Sequence, residues 1–170
     1  MMLRSFIAIE IPSELQQAIA RATAGLQTAV PRPAVRWVAP QNIHLTLKFL
    51  GDVSPANLEQ LARSLRIETA NHPVFRASIG GVGVFPHPRQ PRVIWIGCQA
   101  PPALVSLYRG VEAVCAHLGY VAEKRAFSPH LTLGRVGNTI SPAELERLRL
   151  AMQQVEAKDL GVFAVEAIQI

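Results

Sequence analysis

His44-Leu45-Thr46-Leu47 and His130-Leu131-Thr132-Leu133 are the same four residues written twice in one chain. Side chains alternate across an extended strand, so each tetrapeptide presents an imidazole and a hydroxyl on one face and two leucines on the other. With five histidines and six threonines in 170 residues, composition alone predicts only about 0.2 His-x-Thr triplets. Two copies with matching leucines point to a shared task. Facing imidazoles have a natural reaction, displacement at phosphorus, in which one removes a proton from the nucleophile and the other protonates the departing oxygen. Histidine suits both roles because its reference pKa of about 6.5 keeps neutral and charged forms together near neutral pH. Thr46 and Thr132 would bind non-bridging phosphoryl oxygens and stabilise their developing charge. The symmetry of the motifs leaves open which of His44 and His130 is the acid. No metal is required, and the motifs lack the clustered carboxylates or cysteines of a metal site.

Several neighbours are candidates to hold a phosphate or a base. Arg135 carries a permanent charge on a fork that matches phosphate. Ideal alternation points it away from His130 unless Gly134 permits a bulge, and on parity alone a solvent-exposed strand-end arginine is an equal alternative. Lys48 shares parity with His44 and Thr46, which places it toward the phosphate or in solvent. Trp37, Phe127 and Trp95 have faces on which a nucleobase can stack. Core packing competes for all three, most strongly for Trp95 inside its apolar strand. Arg36, Arg89, Arg92 and Arg125 are backbone contacts or ordinary surface charge. His72, His87 and His117 show no paired pattern and are assigned no chemistry.

The motifs need elements to position them. Residues 3 to 10 alternate as a strand, and Ser13 with Gln16 forms a capping box for a helix whose stripe is Leu15, Ile19, Ala22 and Leu26. After the loop at Pro31 and Pro33, the first motif lies on a strand from Ile43 to Leu50 closed by Gly51. A helix begins at Ser54-Pro55 with Leu58, Leu61, Ala62 and Leu65 on its apolar side. Strands near 74–84 and 92–98 flank a proline-rich loop, Phe85 to Pro91, and Ala103 to Leu118 is helical. The second motif strand, His130 to Val136, precedes a capping box at Ser141-Pro142-Ala143-Glu144 and a last strand within 160–170. Residues 3–84 and 92–170 thus repeat one order: strand, helix, motif strand, helix, strand. The expected fold is α+β, a single domain over 1–170 of two intertwined, pseudo-twofold-related lobes of mostly antiparallel sheet, helices outside and a central cleft between.

Composition sets the class. An apolar fraction of 49% with 17% charged residues excludes a disordered tail. The opening run lacks the pattern of a signal peptide and no stretch approaches a membrane span, so the expected location is the cytoplasm. Cys98 and Cys115 sit in apolar sequence as a lone pair, expected to be buried free thiols. A formal charge of +5 and a pI near 9.9 favour polyanions such as RNA.

The sequence resembles the two-histidine phosphoesterase superfamily, specifically its branch of RNA 2′,3′-cyclic phosphodiesterases, also called 2′-5′ RNA ligases. The resemblance spans nearly the whole chain. It is carried by Arg4 to Ile9, Val35-Arg36-Trp37-Val38, His44 to Gly51, Phe85-Pro86, Pro91 to Trp95 and Phe127 to Arg135. It implies a bilobal α+β fold and hydrolysis of an RNA 2′,3′-cyclic phosphate to a 2′-phosphate without a cofactor. It implies His44 as proton donor, His130 as proton acceptor and Arg135 near the phosphate. The expected partner is RNA with a cyclic end, from tRNA fragments to small cyclic nucleotides, acted on by a monomer. The alternatives are ATP-independent 2′-5′ joining of RNA, by the same proton transfers in reverse, and a basic RNA-binding module whose histidines only contact phosphate.

Overall fold

The structure, a computed structural model, describes residues 2–99 and 101–170. Its elements are Leu3–Glu10 (β1), Ser13–Ala29 (α1), Val35–Trp37 (β2), a 3-10 turn at Pro40–Asn42, His44–Val53 (β3), Pro55–Thr69 (α2) and Phe75–His87 (β4). Gln90–Gln99 (β5), Pro102–His117 (α3), His130–Val136 (β6), Pro142–Gln153 (α4) and Gly161–Val165 (β7) follow. The strands form one antiparallel sheet in the order β1-β3-β6-β5-β4-β7, with β2 also paired to β6.

The repeat is visible in this order. β1 and β5 each flank a motif strand, β3 or β6, and the two motif strands meet at the centre through one residue pair, Leu45 and Leu131. The last strand of the first half, β4, pairs with β5 of the second, while Gln169 from the end of the second half bridges back to Ala8 in β1. One face of the sheet is apolar: Ile7, Ile9, Leu45, Ile94, Ile96 and Leu131 are buried there with the inner sides of the helices. α2 packs on α3 and α1 on α4. Burying each such side chain contributes about 1.5–3 kcal/mol, which is why the leucines of the two motifs fix the sheet while the alternate residues are free for other work.

Cys98 and Cys115 are free and buried, and burial pushes both thiols up to about 11. The capping box at α4 forms as expected: Ser141 Oγ accepts from the Glu144 amide at 3.2 Å and donates to its carboxylate at 2.7 Å. That hydroxyl, with the Ser141 backbone, holds the Glu144 carboxyl below the usual carboxylate range. α1 starts differently. Pro12 is its N-cap residue and its carbonyl accepts from Leu15 and Gln16, so Ser13 already lies in the first turn and caps nothing. Gln16 instead donates its side-chain amide to the Ile43 carbonyl at 3.2 Å, tying α1 to the entrance of β3.

Other boundaries also move. The expected loop from Phe85 to Pro91 is mostly strand, a hairpin whose turn is only Pro88-Arg89, because Pro86 and Pro91 sit opposite each other where neither needs to donate to a ladder. β3 does not stop at Gly51. That glycine takes a positive φ of 74° beside a bulge and the strand continues to Val53. At the other end only Gly161–Val165 is strand, with residue 169 contributing an isolated bridge.

Candidate active site

On the face opposite the buried leucines, the single Leu45–Leu131 pair fixes everything around it. Continuing that antiparallel register one residue each way sets His44 across from Thr132 and Thr46 across from His130. The two imidazoles are diagonal neighbours, a relation that puts Cβ atoms about 7 Å apart, and a phosphate group fits between rings so placed. All four side chains are half-buried. Among the described residues neither threonine hydroxyl has a hydrogen-bond partner in the protein, so both are free for an oxygen of the substrate.

Each ring is held by the main chain. His44 Nδ1 lies 2.8 Å from the Asn42 carbonyl oxygen and His130 Nδ1 lies 2.6 Å from that of Ser128, the same two-residue offset in both halves. A carbonyl oxygen only accepts, so Nδ1 carries the proton and Nε2 is left as the atom that gains or gives one. A neutral ring so pinned is a base at Nε2, and a charged one is an acid at the same atom. The surroundings differ between the halves. Glu10 pairs with His44 across β1 and β3, whereas Gly97 occupies the matching place beside His130. The cross-strand neighbours of the two imidazoles therefore differ, a carboxylate-bearing residue in one half and a glycine in the other.

The register of β6 decides Arg135. Ile94 pairs with Gly134 but Trp95 with Thr132, so Leu133 is an extra, bulged residue. The bulge inverts the alternation beyond it and brings Arg135, opposite Val93, onto the face of His130 and Thr132. β3 carries the same bulge at the same motif position: Ile7 pairs with Lys48 and Ala8 with Thr46, leaving Leu47 extra. Here the consequence reverses the expectation. Lys48 is turned to the helix side, only 6% exposed, with Nζ 2.9 Å from both Glu112 carboxylate oxygens and donating to the Val121 carbonyl at 2.7 Å. It does not face the phosphate. Glu112 Oε2 takes the hydrogen bond, and also accepts from the Glu123 amide at 3.1 Å, while Oε1 has only the charge contact.

The aromatic assignments change as well. Trp37 shares parity with buried Val35, packs over Gly134 and donates its indole N–H to the Val30 carbonyl at 2.9 Å, so it belongs to the core side. Phe127 stacks on Tyr108 of α3 at 3.9 Å between ring centroids, a packing contact on the helix side. Trp95, expected in the core, lies on the histidine face instead, spread over the bare backbone of Gly83 and close to Phe85 and His130. Phe85 meets the His130 ring edge-on at 5.0 Å. Phe6 stacks on His44 at 4.7 Å, and Phe49, 67% exposed, stands beside Phe6. Phe6, Phe49 and Phe85 had no assigned role in the sequence. The signal for Phe49 was the bulge, which alternation alone hides in a motif with no glycine after its second leucine.

Of the remaining cations, Arg92 bonds to Asn138 and Arg125 lies 3.5 Å from Glu123, whereas Arg36 is exposed on the histidine face opposite Arg135. A cavity of about 450 Å³ between the β4–β5 hairpin and α4 has an apolar lining, and its one charged residue, Arg149, is paired with Glu146. It contains neither histidine. Among the described residues no helix is long and apolar enough to cross a membrane.

The model of the LigT-like phosphoesterases matches the chain twice in succession, over residues 9–95 and 96–167, in step with the repeated strand order. The RNA 2′,3′-cyclic phosphodiesterase of Methanothermobacter thermautotrophicus is 34% identical over 97% of this chain and 88% of its own length. The protein of the same name from Escherichia coli is 35% identical over 78% of this chain and 71% of its own. Among solved structures, Escherichia coli LigT complexed with 3′-AMP superposes with a TM-score of 0.72 at 28% identity, covering 99% of this chain and 86% of that one. A Thermus thermophilus protein reaches 0.75 at 27% identity, covering 98% and 86%. The sequence match over nearly the full length, the double match of the model and the shared fold agree: the chain belongs to the LigT-like phosphoesterase family.

Proposed function

We propose that the chain hydrolyses RNA 2′,3′-cyclic phosphate ends to 2′-phosphates by acid-base catalysis between His44 and His130. Water attacks phosphorus as His130 Nε2 takes its proton. The bond from phosphorus to the 3′ oxygen breaks, and His44 Nε2 delivers a proton to that oxygen, leaving a 2′-phosphate and a 3′-hydroxyl. Thr46 and Thr132 hold the non-bridging oxygens, and Arg135 neutralises their charge. The observation that carries this reading is the identical pinning of both Nδ1 atoms to main-chain carbonyls, which frees Nε2 on each ring for proton transfer. Side chains alone supply the proton transfers, so activity is expected to persist in excess chelator. We further read the chain as one domain of two intertwined lobes, working as a monomer in the cytoplasm on RNA ends such as those of tRNA fragments.

The test is product analysis after incubation with a nucleoside 2′,3′-cyclic phosphate. A 2′-phosphate product is expected, with His44→Ala and His130→Ala each slowing the reaction by about 10² or more. A 3′-phosphate product, or turnover indifferent to both substitutions, would sink the mechanism. Including an RNA with a 5′-hydroxyl in a parallel reaction separates hydrolysis from 2′-5′ joining, and binding without turnover would favour the RNA-binding module.

A further inference from the structure

Beyond the four side chains around the phosphate, the next cross-strand pair on the same face is Arg36 and Arg135. β2 takes over the edge of β6 that β3 leaves: Leu45 of β3 pairs with Leu131, and beyond the bulge Arg36 of β2 pairs with Arg135, so the face that holds His130 and Thr132 runs on to the two arginines. Two guanidinium groups directly opposite, on Cβ atoms about 5 Å apart, repel each other. Among the described residues neither has a carboxylate within ion-pair distance, although Arg63, Arg125 and Arg149 all do. Both are exposed. With Arg135 reaching back to the reacting phosphate, a second anion held by Arg36 would offset the remaining repulsion.

The spacing identifies the anion. From Thr132 to the level at which Arg36 stands opposite Arg135, the bulge at Leu133 leaves two effective strand steps, about 7 Å, so Arg36 has one nucleotide of backbone to reach while Arg135 leans back to the reacting phosphate. At the opposite end of the same row stand Phe49 and Phe6, exposed aromatic faces suited to a terminal base. We infer that Arg36 binds the phosphodiester 5′ to the reacting phosphate, so that the protein prefers the end of an RNA strand to a free cyclic mononucleotide. The strand runs from its terminal base at Phe49, across the histidines and Arg135, to Arg36. This inference rests on the phosphodiesterase reading above.

The experiment compares kcat/KM on a nucleoside 2′,3′-cyclic phosphate and on a dinucleotide carrying the same cyclic end, for the wild type, Arg36→Ala and Arg36→Lys. The wild type is expected to favour the dinucleotide by roughly tenfold, the value of one charge-assisted contact, and Arg36→Ala to bring that ratio close to unity. The dependence of log kcat/KM on log salt for the dinucleotide should become shallower by about 0.7 in Arg36→Ala and be largely restored by Arg36→Lys, as expected for one phosphate contact on a single strand. Equal losses on both substrates in variants that melt with the wild type, or an unchanged ratio, would overturn the inference. A thermal melt of each variant identifies a loss caused by misfolding, which would appear on both substrates alike. A wild type inactive on both would overturn the phosphodiesterase reading itself, an outcome distinct from an active enzyme that ignores the second phosphate.

Discussion

His44 and His130 each commit Nδ1 to a main-chain oxygen, which leaves Nε2 open on both rings. Proton transfer by such a pair demands that one ring be neutral and the other charged in the same molecule. On raising the pH, the rate should climb as the acceptor sheds its proton and fall as the donor loses its own. A bell-shaped profile of kcat/KM is therefore expected, and a flat one between about pH 5 and 9 would contradict the paired roles. The sequence made these two residues and both threonines conspicuous, because their types and alternation are enough to place them on one face. It could not place Lys48 and Arg135. By simple alternation the lysine faces the histidines and the arginine does not, yet a single inserted residue in each strand exchanges those answers.

At the scale of the element, the bulges at Leu47 and Leu133 decide what each motif strand presents beyond its threonine. After the bulge the first strand offers Phe49 to the open face and the second offers Arg135, so two copies of one tetrapeptide present an aromatic ring in one half and a guanidinium in the other. Gly134 after the second motif hinted at such an irregularity, while nothing in Lys48-Phe49 did. The hairpin of β4 and β5 shows the same dependence on small residues. Trp95 spreads over Gly83, and a methyl group added there would overlap the indole ring. Gly83→Ala is expected to displace Trp95 from beside His130, to cost about 1–3 kcal/mol as an overpacked contact, and to lower kcat/KM. Unaltered melting and kinetics would show that the tryptophan has room to move. Apolar periodicity gave the first three helices and a capping box the fourth, and both hairpin strands were expected; only their tips, Phe85–His87 and Gln90–Pro91, read as a loop, because proline usually punctuates a strand.

Across the whole molecule, the repeated order of elements was legible in advance because the two halves share their pattern. The exchange of β4 and of the chain end between halves was not, since pairing partners distant in sequence leave no local mark. One contact links the halves chemically: Lys48, from the first motif strand, holds Glu112 of α3 and the carbonyl of Val121 in the segment leading to the second motif. Breaking a buried ion pair from one side strands the other charge. Lys48→Met is expected to destabilise the protein by about 3 kcal/mol, and adding Glu112→Leu to recover most of that loss. A single variant that melts with the wild type would disprove the coupling. Activity, too, belongs to the whole, since a seam of one backbone-paired position, Leu45 with Leu131, is all that joins the strand carrying one imidazole to the strand carrying the other. A fragment from either side would carry one imidazole and lack both its counterpart and the strands it borrows from the other half, so turnover is expected to gauge whether the halves have come together.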